Sequence, residues 1–151
     1  AENRINVIKS NFFNPELTLS KGDYSIRKPN KSDLINIQKG IKILVNLNAH
    51  DHVQALVVKD SGIVKKETSK GTKKMLQSIN NVKDAGSILI KFPKIKQDLR
   101  ADLPTVGLDT FKDCNKAKLK GIVLKSNQNI FLDQKKCIKF ANKNKIFIKI
   151  I

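Results

Sequence analysis

Apolar runs of strand length alternate along this chain with segments in which apolar residues recur at helical spacing. The strand-like runs occupy residues 54–58, 87–90, 121–124 and 146–148. Helical spacing is found at 34–45, at 75–79, from Asp109 to Ala117 and from Asp133 to Ala141. Ser32, Asp109 and Asp133 are residue types that commonly cap helices, and we predict that each caps one. Such alternation is typical of an α/β domain.

A hairpin pattern interrupts the alternation. Residues 54–58 and 63–67 are strand-like, and Asp60-Ser61-Gly62 between them has turn composition. Shorter strand-like stretches occur at 4–8 and 130–132, and no repeat or low-complexity linker divides the 151 residues. We therefore predict an α/β fold with a mixed sheet flanked by helices, in a single domain that spans residues 1–151.

The formal net charge of +17 predicts a polyanionic partner, which would be nucleic acid, an anionic membrane surface or a phosphorylated substrate. Arginine is scarce, the lysines are spread along the whole chain, and aromatic residues make up only 5%. Base-reading interfaces rely on arginine and single-strand binders on exposed aromatic rings, which argues against nucleic acid. No apolar stretch approaches the roughly 20 residues that span a bilayer.

Cysteine and histidine are too few for a recognisable disulfide or metal framework. Cys114 and Cys137 each lie within a helical pattern, which predicts reduced, structural thiols in a cytoplasmic protein. His50 and His52 flank Asp51, which leaves a metal site open there. The simpler interpretation is that both histidines are surface or hydrogen-bonded residues at the end of a helix.

The stretch 91–109 is unusually polar and directly follows a strand-like run. In open α/β sheets, ligands bind beyond the carboxyl ends of the strands. Asp98 and Asp102 lie four residues apart with Arg100 between them, a composition suited to a phosphate and metal site. The alternative is a solvated loop in which Arg100 pairs with an aspartate.

Lys70-Gly71-Thr72 precedes a helical segment and is similar to a phosphate-binding helix start, where free amide groups and the positive end of the helix dipole face the ligand. A complete P-loop would need a second upstream glycine and a lysine after the last one. Gly62 is too far upstream to complete that motif.

The order of motifs along the chain carries further information. It begins with Ile37-Gln38-Lys39-Gly40 and continues through Asp51–Val58, Glu67 and Gly71–Leu76. Its most specific part is Gln-Asp-Leu-Arg-Ala-Asp-Leu-Pro-Thr-Val-Gly at 97–107, followed by Asp109-Thr110, Leu119–Ile122 and the last helix and strand. Together these motifs resemble the carboxy-terminal half of the LpxI family over nearly the whole chain.

This resemblance implies a hydrolase of lipid A biosynthesis, a UDP-2,3-diacylglucosamine pyrophosphatase. Such enzymes convert UDP-2,3-diacylglucosamine to 2,3-diacylglucosamine 1-phosphate (lipid X) and UMP, by water attack on the α-phosphorus with help from Mg²⁺ or a similar divalent cation. The family has two domains with the substrate between them. The resemblance therefore implies that this chain is the carboxy-terminal catalytic-type domain, that an amino-terminal domain is missing, and that the chain alone is inactive.

Roles for individual residues also follow from the resemblance. It implies that Asp98 and Asp102 are catalytic and hold the metal. The substrate-binding residues that it implies are Lys91, Gln97, Arg100, Thr105, Gly71, Thr72 and Gln54. The chain departs from the family where Lys70 and Lys73 replace two acidic residues, which puts the strength or place of metal binding in question.

Two other functions are compatible with the same sequence. One is a regulatory domain that keeps the fold and has lost the chemistry, as Lys70 and Lys73 would allow. The other is a basic nucleic-acid-binding module, which the charge alone supports. The pyrophosphatase interpretation predicts a cytoplasmic protein associated peripherally with the anionic inner-membrane surface, and family members often form homo-oligomers.

Overall fold

The computed structural model describes residues 8–9, 12–51, 53–96, 98–100 and 102–151. His52, Gln97 and most of the strand predicted at 4–8 lie outside these ranges. The helices are α1 (Lys31–Asp51), α2 (Gly71–Gln77), α3 (Leu108–Lys116) and α4 (Gln134–Lys143). The strands are β1 (Gly22–Asp23), β2 (Ala55–Lys59), β3 (Gly62–Lys66), β4 (Ile88–Lys91), β5 (Thr105–Val106), β6 (Gly121–Leu124), β7 (Ile130–Phe131) and β8 (Phe147–Ile150).

Six of these strands form one mixed sheet in the order β1-β8-β6-β4-β2-β3. Strands β4, β6 and β8 run parallel, whereas β2 is antiparallel to both β3 and β4. Strands β5 and β7 form a separate parallel pair. The predicted hairpin and mixed α/β sheet are confirmed. The carboxyl ends of β3, β4, β6 and β8 therefore lie at one edge of the sheet, together with the amino end of β2, and we call this the carboxyl edge.

Helices cover both faces of the six-stranded sheet. Leu44 of α1 packs on one face against Ile90, while Phe111 of α3 and Cys137 of α4 pack on the other. Gly40 lets α1 approach closely, because a Cβ at this position would lie 2.5 Å from Cδ1 of Ile90. The glycine within the predicted helix thus serves helix–sheet packing.

The helix starts differ from the predictions in detail. Asn30, not Ser32, caps α1: its Oδ1 accepts the Asp33 amide at 2.9 Å, and Asp33 Oδ2 accepts the Asn30 amide at 3.1 Å. This reciprocal pair satisfies two amides, whereas Ser32 is already within the helix. Asp109 lies in the first turn of α3, and Asp133 precedes α4 with a φ of 49° and makes no capping bond.

Replacing Asp33 with alanine is expected to cost about 3 kcal/mol of unfolding free energy. Asp33 is 1% exposed, and its Oδ1 lies 2.6 Å from Nζ of Lys120, so the change removes the cap and leaves a largely buried ammonium unpaired. Urea denaturation measures the loss. Asp109→Ala is the control, since its ion pair with Lys112 is exposed and contributes less than about 1 kcal/mol. Equal losses of unfolding free energy in Asp33→Ala and Asp109→Ala would contradict the stabilising role of the buried Asp33 carboxylate.

The two cysteines are free and buried, which confirms their interpretation as structural thiols. Burial raises the pKa of Cys137 to about 11 and that of Cys114 well above its usual range, so both stay protonated near neutral pH. His50 is exposed at the carboxyl end of α1, as predicted. Within the described ranges, no helix combines the length and apolar character needed to cross a bilayer.

Candidate functional site

Polar residues from three neighbouring strands meet at the carboxyl edge. Gln54 precedes β2, Glu67 follows β3, and Lys91 ends β4. Ala55 is opposite Lys91 in the ladder, and the Ala55 carbonyl accepts the Glu67 amide at 3.0 Å. The antiparallel hairpin thus places the start of one strand beside the ends of two others, and the three side chains become neighbours although they are far apart in sequence.

These residues line a polar cleft of about 300 Å³ next to helices α2 and α3. The polar cleft is lined by Gln54, Glu67, Lys70, Gly71, Thr72, Lys73, Leu76, Lys91, Asp109, Thr110 and Asp113. A second cavity of about 420 Å³ shares three of these residues and extends to Lys94. The structure therefore brings together four of the predicted substrate-binding residues, namely Gln54, Gly71, Thr72 and Lys91.

Lys91 is a buried lysine with few partners. Its side chain is 7% exposed, and its Nζ donates a hydrogen bond to the Thr105 carbonyl at 3.3 Å. Within the described part of the chain, none of the ion pairs includes Lys91. Burial lowers the pKa of Lys91, and the negative charge of Glu67 partly opposes that effect. A buried ammonium at the wall of a cleft is suited to phosphate oxygens, which would compensate its lost hydration.

Glu67 is a buried carboxylate that organises the cleft wall. Its Oε1 accepts a hydrogen bond from the Thr72 hydroxyl at 2.6 Å, and its Oε2 accepts one from the backbone amide of Gln54 at 3.3 Å. The Thr72 hydrogen is therefore already used, and its hydroxyl offers a ligand only oxygen lone pairs. A phosphate contact by the Thr72 hydroxyl stays a prediction that requires Glu67 to release this hydrogen, because a phosphate oxygen would have to accept it.

The predicted phosphate-binding helix start lies at the cleft. Gly71 begins α2 with a φ of 81°, a conformation that favours glycine, and no atom lies within 4 Å of the position a Cβ would take. The space above Gly71 is therefore open to a ligand. Lys70 and Lys73 are exposed and line the same cleft. Both lysines add positive charge to the cleft.

Asp98 and Arg100 pair with each other on an exposed segment. Oδ1 of Asp98 accepts hydrogen bonds from Nε of Arg100 at 3.0 Å and from the Arg100 backbone amide at 2.9 Å, while Oδ2 accepts one from Nη2 of Arg100 at 2.9 Å. These hydrogen bonds hold the pKa of Asp98 below its usual value. Asp102 is also exposed, and its amide donates to the Asp98 carbonyl at 2.8 Å, so the two aspartates lie one turn apart.

The predicted site residues thus fall into two groups. Asp98, Arg100 and Asp102 form the exposed turn and are not among the residues that line the polar cleft. Thr105 connects the groups, since its carbonyl accepts Nζ of Lys91. Gln97 lies outside the described ranges. No group of three or more His, Cys, Asp or Glu residues that could hold a metal occurs within those ranges.

Sequence reasoning assigned no binding role to several residues that the cleft contains. The sequence placed Glu67 in the family pattern, and Asp109 in the family pattern and at a helix cap, without a binding role for either. Thr110 and Asp113 lie one turn apart on α3, and Asp113 is only 8% exposed. A buried aspartate within an amphipathic helix was the available signal, but its importance depends on what faces it across the fold.

The fold and the polar cleft define an α/β domain of the class that binds ligands at the carboxyl edge of its sheet. Residues 20–149 match the family model described as LpxI C-terminal domain, so the chain belongs to the LpxI family. It is 27% identical over 141 residues to UDP-2,3-diacylglucosamine pyrophosphatase LpxI of Caulobacter vibrioides, which covers 88% of this chain and 50% of that protein. The chain therefore spans about half the length of this curated relative.

Proposed function

We propose that the protein hydrolyses UDP-2,3-diacylglucosamine to lipid X and UMP, with this chain as one of two domains that the reaction needs. The buried Lys91 at the wall of the polar cleft is the observation that carries the proposal. A buried ammonium that has lost most of its hydration gains most from a ligand with negative oxygens, and the proposed substrate is a diphosphate. The substrate class comes from the LpxI family, because the curated relative is named a UDP-2,3-diacylglucosamine pyrophosphatase.

The polar cleft would bind the diphosphate by charge. Lys91 would contact phosphate oxygens directly, and Lys70 and Lys73 would add positive charge at the exposed side. Breaking a phosphoric anhydride depends on neutralising charge that develops on phosphate oxygens, and a covalent nucleophile is not needed. Gln54 and Thr105 would help to position the substrate next to Lys91.

The exposed turn would supply the groups that act on water. We assign Asp98 as metal ligand or water-orienting base and Asp102 in support, with Arg100 contacting phosphate. Mg²⁺ in such sites is commonly held by one or two carboxylates together with substrate phosphates and water, and two carboxylates one turn apart fit that donor set. A bound cation would neutralise phosphate charge there. Arg100 must leave Asp98 for the carboxylate to act, and a phosphate is a competing partner for its guanidinium.

The rest of the proposal concerns the whole protein. The alignment covers only half of the relative's length, which supports a further, amino-terminal domain in the whole protein. The net charge of +17 supports association with the anionic inner-membrane surface, where an acylated substrate resides. Release of the chain from anionic vesicles by salt is the corresponding measurement.

Asp98→Ala in the full gene product is expected to lower kcat for UMP release from UDP-2,3-diacylglucosamine at least about a hundredfold. The physical reason is that alanine removes the carboxylate assigned to orient water. Asp23→Ala is the matched control, because Asp23 lies on the outer strand β1, three strands from β4, and forms a partly exposed ion pair with Lys149. Turnover of Asp98→Ala near that of the control would refute the role of Asp98.

The same assay separates the proposal from a regulatory domain that has lost the chemistry. We expect UMP release by the unsubstituted full gene product to require added divalent cation. Substrate binding without UMP release, with or without Mg²⁺, would instead favour the regulatory interpretation. Two features motivate that interpretation: the carboxylate of Asp98 is paired with Arg100, and Lys70 and Lys73 stand where the resemblance implies acidic residues.

A further inference from the structure

The outward side of helix α1 combines lysines with exposed aliphatic side chains. Lys31, Lys39 and Lys42 are exposed there. Ile35 lies one turn from Lys31 and one turn from Lys39 and is 51% exposed, and Ile63 of the neighbouring β3 is 48% exposed. We call these five residues the α1 face, and we propose that the α1 face docks on an anionic lipid bilayer. This inference rests on the proposed function, because it names the surface by which the enzyme would reach an acylated substrate.

Ile63 belongs to the α1 face because the turn before β3 is bonded to the helix. Ile63 is opposite Val58 in the ladder, and Val58 packs on the side of the sheet that α1 covers. The amide of Ser61 donates to Oδ1 of the buried Asn36 at 2.6 Å, and Nζ of Lys39 donates to the Ser61 hydroxyl at 3.0 Å. The α1 face is therefore one continuous surface whose parts have a fixed relative position.

The α1 face is positively charged because the helix turns its first acidic residue inward. Asp33, in the first turn of α1, is 1% exposed and pairs with Lys120. Strand β3 contains no acidic residue, and the turn before it places one exposed carboxylate, that of Asp60, at the border of the face. Three exposed lysines thus meet a single carboxylate, and a surface of anionic headgroups would complement their charge.

The aliphatic residues distinguish a bilayer from other polyanions. The outward side of α4 has more exposed lysines, but none of the described residues of α4 is an exposed large hydrophobic residue. On the α1 face, Ile35 and Ile63 accompany the lysines, and such a mixture suits the boundary between headgroups and acyl chains. Nucleic acid is recognised through arginine and aromatic rings, which the α1 face lacks. The combination therefore favours an anionic lipid surface.

Charge reversal on two matched faces tests the proposal with the 151-residue chain. Sedimentation at about 0.1 M salt measures binding to phosphatidylcholine vesicles with and without phosphatidylglycerol. Lys39→Glu with Lys42→Glu is expected to weaken binding to the anionic vesicles at least about thirtyfold, since each lysine near such a surface contributes about fivefold. Lys139→Glu with Lys143→Glu makes the same change in net charge on α4, across the sheet, and a loss below about threefold is expected.

Tryptophan fluorescence tests the aliphatic part of the α1 face. The chain contains no tryptophan, so Ile35→Trp introduces a single indole. Its emission is expected to shift to shorter wavelength when anionic vesicles are added, because the ring leaves water for the bilayer interface. Leu132→Trp is the matched control, since Leu132 is 44% exposed just before α4, and its emission should not shift.

Equal losses of vesicle binding in the two double variants, or an unshifted emission of Ile35→Trp, would overturn the proposal. So would a dimer of the unsubstituted chain that Lys39→Glu with Lys42→Glu dissociates, because the α1 face would then be a subunit interface. UMP release from detergent-dispersed substrate by the full gene product separates this inference from the proposed function. Hydrolysis without vesicle binding defeats only the docking of the α1 face. Vesicle binding that depends on Lys39 and Lys42, without any hydrolysis, supports the docking and defeats the proposed activity.

Discussion

Lys91→Met in the full gene product is expected to lower kcat/KM for UDP-2,3-diacylglucosamine by about a hundredfold to a thousandfold. Methionine keeps an unbranched apolar stem but removes the buried ammonium assigned to the phosphates. The substitution should not lower the free energy of unfolding, since it also removes a charge whose burial is unfavourable. Loss of UMP release together with unchanged or raised stability is therefore the expected result.

Lys139→Met is the matched control, because Lys139 is exposed on α4 and does not line the polar cleft. Its kcat/KM should equal that of the unsubstituted protein. If Lys91→Met retains full kcat/KM, Lys91 does not contact the phosphates. If it loses both activity and stability, a structural role explains the result instead.

The pH dependence of kcat/KM provides an independent measure of Lys91. Burial lowers the pKa of this lysine from its ordinary value of 10.5, so the ammonium is lost on the alkaline side at lower pH than for an exposed lysine. We expect kcat/KM to fall as pH rises through that lowered pKa. Glu67→Gln removes the charge that raises the pKa of Lys91, and the alkaline fall should then move to lower pH. An unmoved fall would assign it to another group.

Stability should follow the opposite direction in the same pH range. Between the lowered pKa of Lys91 in the folded protein and the ordinary value of 10.5, the unfolded chain holds the proton more tightly. The contribution of Lys91 to the free energy of unfolding therefore rises with pH in that window. Comparison of urea denaturation for the unsubstituted protein and Lys91→Met isolates this contribution, which the variant lacks.

Gly121→Ala is expected to cost about 3 kcal/mol of unfolding free energy or more. Gly121 begins β6 and lies opposite Phe147 of β8, and a Cβ there would be only 2.1–2.3 Å from three atoms of the Phe147 ring. The ring is fully buried, so it cannot turn into solvent to relieve the overlap. Either the ring or the parallel strands must shift. Urea denaturation measures the loss.

Gly62→Ala is the matched control at the start of β3, where the nearest atom would be 3.5 Å from the new Cβ and the residue is exposed. A change within about 0.5 kcal/mol is expected there. The double variant Gly121→Ala with Phe147→Leu should lose less than the sum of the two single losses, because the smaller side chain removes the overlap. Strict additivity would show that the Phe147 ring is not the cause.

The sequence predicted the residues of the polar cleft only in part. Gln54, Gly71, Thr72 and Lys91 were assigned through the family pattern, and the structure places them around one cleft. Glu67 received no role, although it holds both Thr72 and the Gln54 backbone. Its importance depends on the return of β3 beside β2, because only that antiparallel pairing carries residue 67 to the same edge as residue 91.

For the short polar block that includes Asp98, the sequence left two alternatives open. The sequence allowed either a phosphate and metal site or a solvated loop in which Arg100 pairs with an aspartate. The structure contains that pair, with both carboxylate oxygens of Asp98 accepting from Arg100. Local composition could not decide between the alternatives, because Asp98 and Arg100 can pair with each other or, with a ligand present, contact a cation and a phosphate instead.

The amino-acid sequence by itself determined the α/β class, the hairpin and the family, because hydrophobic periodicity and motif order are local properties of the chain. Tertiary structure alone decided that β4 ends between the polar cleft on the α2–α3 side and an apolar groove on the α1 side, which is lined by Leu44, Val45 and Phe92 among others. The reason is that Lys91 and Phe92 are adjacent in sequence and point to opposite faces, and what each meets is set by helices distant in the chain. Asn48 of α1 shapes the groove, whereas Asp113 of α3 lines the cleft.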